Sequence, residues 1–304
     1  MALLPMRELL RHAKENRYAV GYFEAWNMDS LLAVADAAQK TRSPVILGFG
    51  GMFIENAERL TKENIAHYGS LGVAVAREST VPMALLLNEA EGLPLLYGAL
   101  KAGFNAVMYA SEMYGGQGYS LDDMVRANKL LVPVAHAVGA DVEAEIGELP
   151  MADVSTGKAT NGQPTDPEEA AFFVRETGID ALAIAAGNVH LQEGKKSGLD
   201  FDLVRALAQK VQVPLVLHGG TGIEPEALRE AIGLGICKVN VGTVMKRVYI
   251  NALREYFRDH DLDHTDPHRV IGLGGELDML VKARLAVTDE IVRFMEILGC
   301  CGKA

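Results

Sequence analysis

The feature that most constrains the fold is a repeated alternation of short apolar runs with longer segments of helical periodicity. Buried parallel strands are typically near-continuous apolar runs, and helices connect one strand to the next. The predicted strands are residues 19–23, 44–49, 82–87, 106–109, 142–146, 181–185, 214–217 and 238–241. The clearest predicted helices between them are residues 28–40, 93–102, 121–138, 167–177, 201–210 and 225–234. About eight repeats predict an α/β protein, a (β/α)8 TIM barrel.

No shift in composition divides the chain. We therefore predict one barrel domain over residues 1–304, with a C-terminal helical extension from residue 249 onward. A doubly wound open sheet is the structural alternative. Its usual Gly-x-Gly-x-x-Gly turn does not follow the first predicted strand, which favours the barrel.

Composition narrows the class of protein further. The 304 residues are 49% hydrophobic and carry a formal net charge of -11, without the clustered Lys and Arg that nucleic acid requires. Three cysteines form neither a disulfide framework nor a zinc-finger spacing. No apolar segment approaches the ~20 residues of a membrane span, and the N-terminal residues do not resemble a signal peptide. We expect a cytoplasmic protein that binds neither nucleic acid nor membrane.

Polar side chains cluster at the predicted strand ends, where a barrel places its active site. They are Glu24, Asn88, Glu89, Glu91, Glu112, Glu143, Glu145, Glu148, Asn188, His190 and His218. A single histidine after an apolar run is more often structural than a ligand. Two histidines at adjacent strand ends, together with carboxylates, instead indicate a divalent metal site.

Two glycine-rich segments follow the last two predicted strands. They are residues 219–222, containing Gly219, Gly220 and Thr221, and residues 240–243, containing Asn240, Gly242 and Thr243. Barrels commonly bind a phosphate at this position through backbone N–H groups and a helix N-terminus. Either loop alone is also consistent with a tight turn, but the pair favours a phosphorylated small molecule.

With these motifs the chain resembles the class II fructose-bisphosphate and tagatose-bisphosphate aldolases. The similarity runs nearly end to end, through residues 18–21, 42–46, 102–104, 165–170, 187–190, 199–201, both glycine loops and 302–304. It implies a (β/α)8 barrel that is dimeric or larger. It also implies a divalent metal, commonly zinc, that stabilises an enediolate while a ketose bisphosphate is split into dihydroxyacetone phosphate and an aldehyde.

The resemblance also implies roles for particular residues. His190 and His218 match two of the family's three metal histidines, and Gly219, Thr221, Asn240 and Thr243 match phosphate contacts. Glu145 matches an acidic family position.

The chain departs from the family after the third strand. The usual Leu-Asp-His-Gly, which supplies the catalytic aspartate and the first metal histidine, is replaced by Leu87-Asn88-Glu89-Ala90. Glu89 can still be a ligand, because two histidines and a glutamate form a known zinc set. Asn88 cannot accept and return a proton as a carboxylate does. The acidic residue after the fourth strand is Ala110, with Glu112 two residues later.

We take Asn88, Glu89, Glu112 and Glu145 as candidate catalytic residues, and Glu89, His190 and His218 as candidate metal ligands. The carboxylates that could have taken over the proton transfer are Glu24, Glu91, Glu112, Glu145 and Glu148. The predicted function is a metal-dependent aldolase that cleaves or forms a carbon-carbon bond in a phosphorylated ketose, with dihydroxyacetone phosphate as the donor. The predicted metal is zinc, and the predicted assembly is a homodimer or higher homo-oligomer. The alternatives are a related lyase or isomerase with another phosphosugar, and a catalytically silent phosphosugar-binding barrel.

Overall fold

A computed structural model describes residues 3–110, 119–150, 162–189 and 198–304. Eight strands form a closed barrel in sequence order, with every neighbouring pair parallel and the first strand pairing with the last. The strands are β1 Val20–Ala25, β2 Val45–Gly50, β3 Met83–Ala90, β4 Ala106–Tyr109, β5 Asp141–Ile146, β6 Ala181–Ile184, β7 Leu215–Leu217 and β8 Ile236–Val241. The predicted barrel is confirmed, and the open sheet is excluded.

Helices follow the strands around the barrel. They are α1 Met6–Asn16, α2 Met28–Thr41, α3 Gly51–Ile54, α4 Ile65–Glu78, α5 Leu93–Lys101, α6 Leu121–Ala137, α7 Pro167–Thr177, α8 Phe201–Lys210, α9 Pro225–Leu234, α10 Thr243–Asp259, α11 Pro267–Val270 and α12 Met279–Leu298. Within the described ranges no helix is both long enough and apolar enough to cross a membrane. Helix α10 begins directly after β8, six residues before the predicted extension, and α12 packs against α2 and α10.

Helix α1 precedes the first strand and was not among the predicted helices. Its four buried residues, Met6, Leu9, Leu10 and Ala13, follow the i, i+3, i+4, i+7 spacing of one helix face. The backbone N–H of Leu4 donates to the Met83 carbonyl oxygen at 2.7 Å. The Arg7 N–H donates to the Asp141 carboxylate, also at 2.7 Å. Because Met83 and Asp141 begin β3 and β5, α1 lies against the N-terminal end of the barrel, opposite the predicted site.

Strand β3 is longer than its apolar run. The sequence predicts an end at Leu87, whereas the strand continues to Ala90 and includes Asn88 and Glu89, all of them buried. Hydrogen bonding to the neighbouring strands extends β3 beyond the point where its apolar residues stop: Asn88 pairs with Gly50 of β2, and Ala90 pairs with Tyr109 of β4. The polar residues therefore belong to the barrel wall rather than to a loop.

Candidate active site

A bulge in β3 turns two consecutive side chains into the barrel. The register with β4 shifts between Leu87 and Ala90, and Glu89 has a φ of 50°. Successive residues of a regular strand face opposite sides, but here Asn88 contacts Asn240 of β8 and Glu89 contacts His218 after β7. A non-glycine residue in this left-handed region costs about 1–2 kcal/mol. The bulge thus places an amide and a carboxylate together in the site.

Two carboxylates converge on one nitrogen of His218. Its Nδ1 lies 2.8 Å from Glu89 Oε1 and 3.1 Å from Glu145 Oε2. One ligand atom from each of these three residues lies within 4.8 Å of the others, and all three residues are buried. A nitrogen and two carboxylate oxygens at this spacing fit a divalent cation. The donor chemistry therefore suits the group that the sequence predicts.

Glu143 holds the other nitrogen of the same ring. His218 Nε2 lies 3.1 Å from Glu143 Oε1, deep in the barrel. A carboxylate that accepts the Nε2 hydrogen leaves Nδ1 free of its proton for a cation, which is the usual support for a metal-binding histidine. Lys238 in turn lies 2.8 Å from both oxygens of Glu143 and balances its charge. Exposure is nil at Lys238 and Glu143 and reaches 8% at Glu89, at the other end of this chain of contacts.

The pKa shifts in this cluster show that its carboxylates favour a positive charge beside them. Burial lowers the pKa of His218, but the nearby Glu145, Glu143 and Glu89 outweigh burial and raise that pKa well above the ordinary value. Burial also raises the pKa of Glu143, yet Lys238 and His218 reverse the shift and lower it. The three carboxylates are thus a strongly cation-attracting group, in which a metal ion can replace the histidine proton.

The two glycine loops lie side by side at the same end of the barrel. Gly219 has a φ of 67° and precedes a 3-10 turn over Gly220–Gly222. A Cβ on Gly219 would lie 2.4 Å from the Val189 carbonyl oxygen, so only glycine fits there. The Val244 N–H of α10 lies 3.5 Å from Thr221 Oγ1, joining this turn to the helix that begins at Thr243.

Helix α10 presents its N-terminus at this place. Gly242 precedes the helix and supplies no side chain to cap it. The first N–H groups of a 17-residue helix and the N–H groups of a glycine turn form a suitable anion site. The side chain of Asn240 is directed elsewhere, toward Lys238 and Asn88 in the barrel.

The end of β1 adds a charged pair beside the loops. Glu24 forms an ion pair with Lys246 of α10, whose ammonium lies 3.9 Å from the centre of the Phe53 ring. A Cβ on Gly242 would lie 3.8 Å from the Glu24 carboxylate. Lys246 therefore compensates an acid that stands next to the predicted phosphate position, where it would otherwise repel an anion.

The structure brings together four of the residues predicted for the reaction and the metal: Asn88, Glu89, Glu145 and His218. His190 and Glu112 lie outside the described residues, so their roles stay predictions. The sequence analysis placed Glu143 among the polar strand-end residues without giving it a role, and it did not include Lys238. Their signal was the i, i+2 spacing with Glu145 and Asn240, which places each pair on the same face of a strand.

Comparison with known proteins identifies the family to which the chain belongs. The family model described as Fructose-bisphosphate aldolase class-II matches residues 4–303. The uncharacterized protein YdjI of Escherichia coli strain K12 is 30% identical over 292 residues, covering 96% of each chain. The chain therefore belongs to the class II fructose-bisphosphate aldolase family.

Solved structures resemble the barrel over almost its whole length. The crystal structure of the YdjI aldolase from Escherichia coli K12 has a TM-score of 0.80 at 29% identity, covering 99% of both chains. A putative fructose-1,6-biphosphate aldolase from Coccidioides immitis has a TM-score of 0.80 at 25% identity, covering 98% of this chain and 97% of its own. Fructose-bisphosphate aldolase from Campylobacter jejuni, at 20% identity, has a TM-score of 0.76 with 100% and 97% coverage, and it supports the fold.

Proposed function

We propose that this protein is a metal-dependent aldolase that cleaves or forms a carbon-carbon bond in a phosphorylated ketose, with dihydroxyacetone phosphate as the donor. The observation that carries the proposal is the convergence of Glu89 and Glu145 on Nδ1 of His218, while Glu143 holds Nε2. This cluster shares the barrel mouth with the glycine loops. Family membership supports the same reaction class.

Glu89, His190 and His218 would hold the metal, which we propose to be zinc. Two neutral imidazoles and one carboxylate form a known catalytic zinc set with an open position. A divalent cation bound there would act as a Lewis acid that stabilises negative charge on a substrate oxygen. Glu143 orients the His218 ring for this role through Nε2.

The glycine loops would bind the phosphate of the substrate and fix its distance from the cluster. Gly219, Gly220 and Thr221 supply the turn after β7, and Gly242 and Thr243 supply the start of α10. Anchoring one end of a small substrate places its reacting carbon and the acid/base groups in contact, which lowers the entropic cost of reaction. Asn240 would contact the substrate from the barrel wall.

A carboxylate must move the proton, because Asn88 cannot. Glu145 is the described candidate, since its Oε2 lies beside His218 and its side chain is almost wholly buried. Glu112, outside the described residues, stays the second candidate. Glu145→Gln would retain the metal if Glu145 transfers the proton, and would release it if Glu145 is an essential ligand. Elemental analysis of this one variant separates the two roles.

The first test is the metal content of untagged protein purified without chelator, measured by elemental mass spectrometry. We expect about one zinc per chain, and a loss of at least tenfold in affinity in Glu89→Ala and in His218→Ala, because each removes a ligand. Lys129→Met, which removes an exposed ion pair with Glu176 on the outer helices, is the control and should retain the metal. Unchanged metal content in both ligand variants would disprove this site.

The second test asks whether dihydroxyacetone phosphate is the donor substrate, by hydrogen exchange in deuterated water. The zinc-loaded protein should exchange a carbon-bound hydrogen of this compound with solvent, a half-reaction that needs no aldehyde partner. Exchange together with cleavage of a ketose phosphate supports an aldolase. Phosphosugar binding with neither exchange nor metal would instead support the silent barrel.

Asn88 favours a second candidate, a related lyase or isomerase. Its amide occupies the place of the family's catalytic aspartate and contacts Asn240. Exchange without cleavage of any ketose phosphate tested would support this second candidate.

We also propose that the protein is cytoplasmic and forms a homodimer or larger homo-oligomer. Sedimentation would test the oligomeric state.

A further inference from the structure

We propose that Asn88 is a hydrogen-bond donor to a substrate oxygen, and that the buried Lys238 is the positioning residue that fixes this direction. The substrate half of the inference rests on the proposed function. The direction of the amides depends only on contacts within the barrel. Asn88 would therefore have a different role from a carboxylate at the same place, which can only accept hydrogen bonds when ionised.

Lys238 lies in the barrel centre with no exposed surface. Its Nζ is 2.8 Å from both carboxylate oxygens of Glu143 and 2.6 Å from Asn240 Oδ1. The Tyr22 ring packs beside it, with its centre 5.1 Å from Nζ. An ammonium has three N–H donors and no acceptor, and three oxygens surround it here. Lys238 thus donates to Glu143 Oε1 and Asn240 Oδ1, and its charge also pairs with Glu143 Oε2.

This arrangement decides which way Asn240 is turned. A lysine ammonium can only donate, so Asn240 must present its carbonyl oxygen to Lys238. The amide nitrogen of Asn240 is then directed away from Lys238, and it lies 3.4 Å from Asn88 Oδ1. The opposite orientation would place two donors together inside the barrel, which is costly in a buried site.

The orientation of Asn240 in turn decides the orientation of Asn88. Asn240 donates to it, so Asn88 accepts with Oδ1 and directs its own NH2 group away from Asn240. Asn88 is the residue before Glu89, and the β3 bulge turns both side chains into the site. The amides therefore form a one-way chain of donors that begins at Lys238 and ends with the NH2 of Asn88.

A donor at this position suits an oxygen that carries or gains negative charge. In aldol cleavage the carbonyl oxygen of the ketose gains negative charge as the carbon-carbon bond breaks, and the same oxygen gains it when dihydroxyacetone phosphate loses a carbon-bound proton. Asn88 would stabilise that oxygen by donation, as the donors of an oxyanion hole do, and would not remove the proton. The proton would pass to a carboxylate, which agrees with the candidate role of Glu145.

The direction of the chain can be measured without any ligand. Neutron diffraction from crystals of the deuterated protein locates amide deuterons, which ordinary X-ray data leave to inference. We expect the deuterons of Asn240 to face Asn88 and those of Asn88 to face away from Asn240. An Asn88 amide whose deuterons point at Asn240 would overturn the inference.

The role of Lys238 needs a variant that still folds. Lys238→Met alone leaves Glu143 as an uncompensated buried charge, so the double variant Lys238→Met, Glu143→Gln removes both charges together. If Lys238 sets the direction, neutron data on the double variant should show Asn240 in both orientations. A single unchanged orientation would mean that Lys238 only fills space, whatever the stability of the variant.

The substrate contact is tested by the order of three affinities for dihydroxyacetone phosphate, measured by calorimetry on zinc-loaded protein. A donor role predicts that wild type binds best, Asn88→Ala less well and Asn88→Asp worst, at least tenfold below wild type, because a carboxylate repels the substrate oxygen. Asn64→Asp adds the same charge at the exposed start of α4 and should bind like wild type.

Asn88→Asp binding as tightly as wild type would overturn the donor role. If wild type itself fails to bind dihydroxyacetone phosphate, the proposed function is wrong in naming this compound as the donor substrate. The neutron data then decide the amide direction alone.

Discussion

At the scale of single residues, the strained position of Glu89 is the clearest mark of function. Glu89 is a non-glycine residue with a φ of 50°, and its carboxylate contacts His218. Strain of this kind persists where the surrounding structure holds it and often marks an active site. The metal would be the compensating interaction, because it binds the carboxylate that the strained backbone presents.

The strain can be measured by two variants that both lose the carboxylate. Glu89→Gly should be more stable to denaturant than Glu89→Ala by about 1 kcal/mol, because glycine adopts positive φ without a Cβ clash. Urea unfolding of the metal-free variants gives the difference. Equal stabilities, or a more stable alanine variant, would show that the backbone at residue 89 is not strained.

At the scale of elements, glycine lets α4 approach β3 and the residue that follows α5 closely. A Cβ on Gly69 would lie 2.4 Å from the carbonyl oxygen of Ala102, and one on Gly72 would lie 2.5 Å from Leu85 of β3. Glycine lowers helix propensity, so these two residues weaken the helix locally in exchange for close packing. The helix thereby supports the strand that carries Asn88 and Glu89.

This packing predicts opposite effects for two Gly→Ala substitutions. Gly69→Ala should destabilise the protein by about 2 kcal/mol, because the overpacking against backbone exceeds the gain in helix propensity. Gly233→Ala in α9 meets no atom within 4 Å and should be neutral or stabilise by up to about 1 kcal/mol. Thermal unfolding of the pair checks the sign, and a stabilising Gly69→Ala would contradict the packing.

At the scale of the whole molecule, the two ends of the barrel have different tasks. The site lies at the C-terminal end, whereas the N-terminal end holds a charged group that fastens α1. Arg7 pairs with Asp141 at 2.7 Å, and His136 lies 2.9 Å from Asp180. Burial raises the pKa of Asp141 to about 6, although the backbone N–H of Arg7 opposes the shift.

The raised pKa fixes the sign of a pH effect. The folded state binds the Asp141 proton more tightly than the unfolded chain does, so this contribution to stability is greatest near pH 4 and is lost as the pH rises through about 6. Asp141→Asn has no carboxyl group to titrate at this position. Its free energy of unfolding relative to wild type should therefore rise by roughly 2 kcal/mol as the pH is raised from 4 to 8. Urea unfolding at both pH values measures it; a constant difference would refute the shift.

The barrel, the approximate positions of its strands and the glycine loops could be predicted from the sequence because each depends on local pattern. Apolar runs of strand length, glycines and the residues directly after each run are visible without knowing any long-range contact. The parallel arrangement then brings His218, Glu89 and Glu145 to one end. Helix α1 has an apolar spacing of the same local kind, so a prediction without this helix was wrong.

The sequence by itself determined which elements form and which polar residues stand at their ends. Only the tertiary structure decided how those residues meet. The β3 bulge that turns both Asn88 and Glu89 inward depends on pairing with neighbouring strands. The contact of Lys238 with Glu143 spans 95 residues and exists because the barrel closes around it. Closure excludes water, and without water a buried ammonium must take its partners from distant strands.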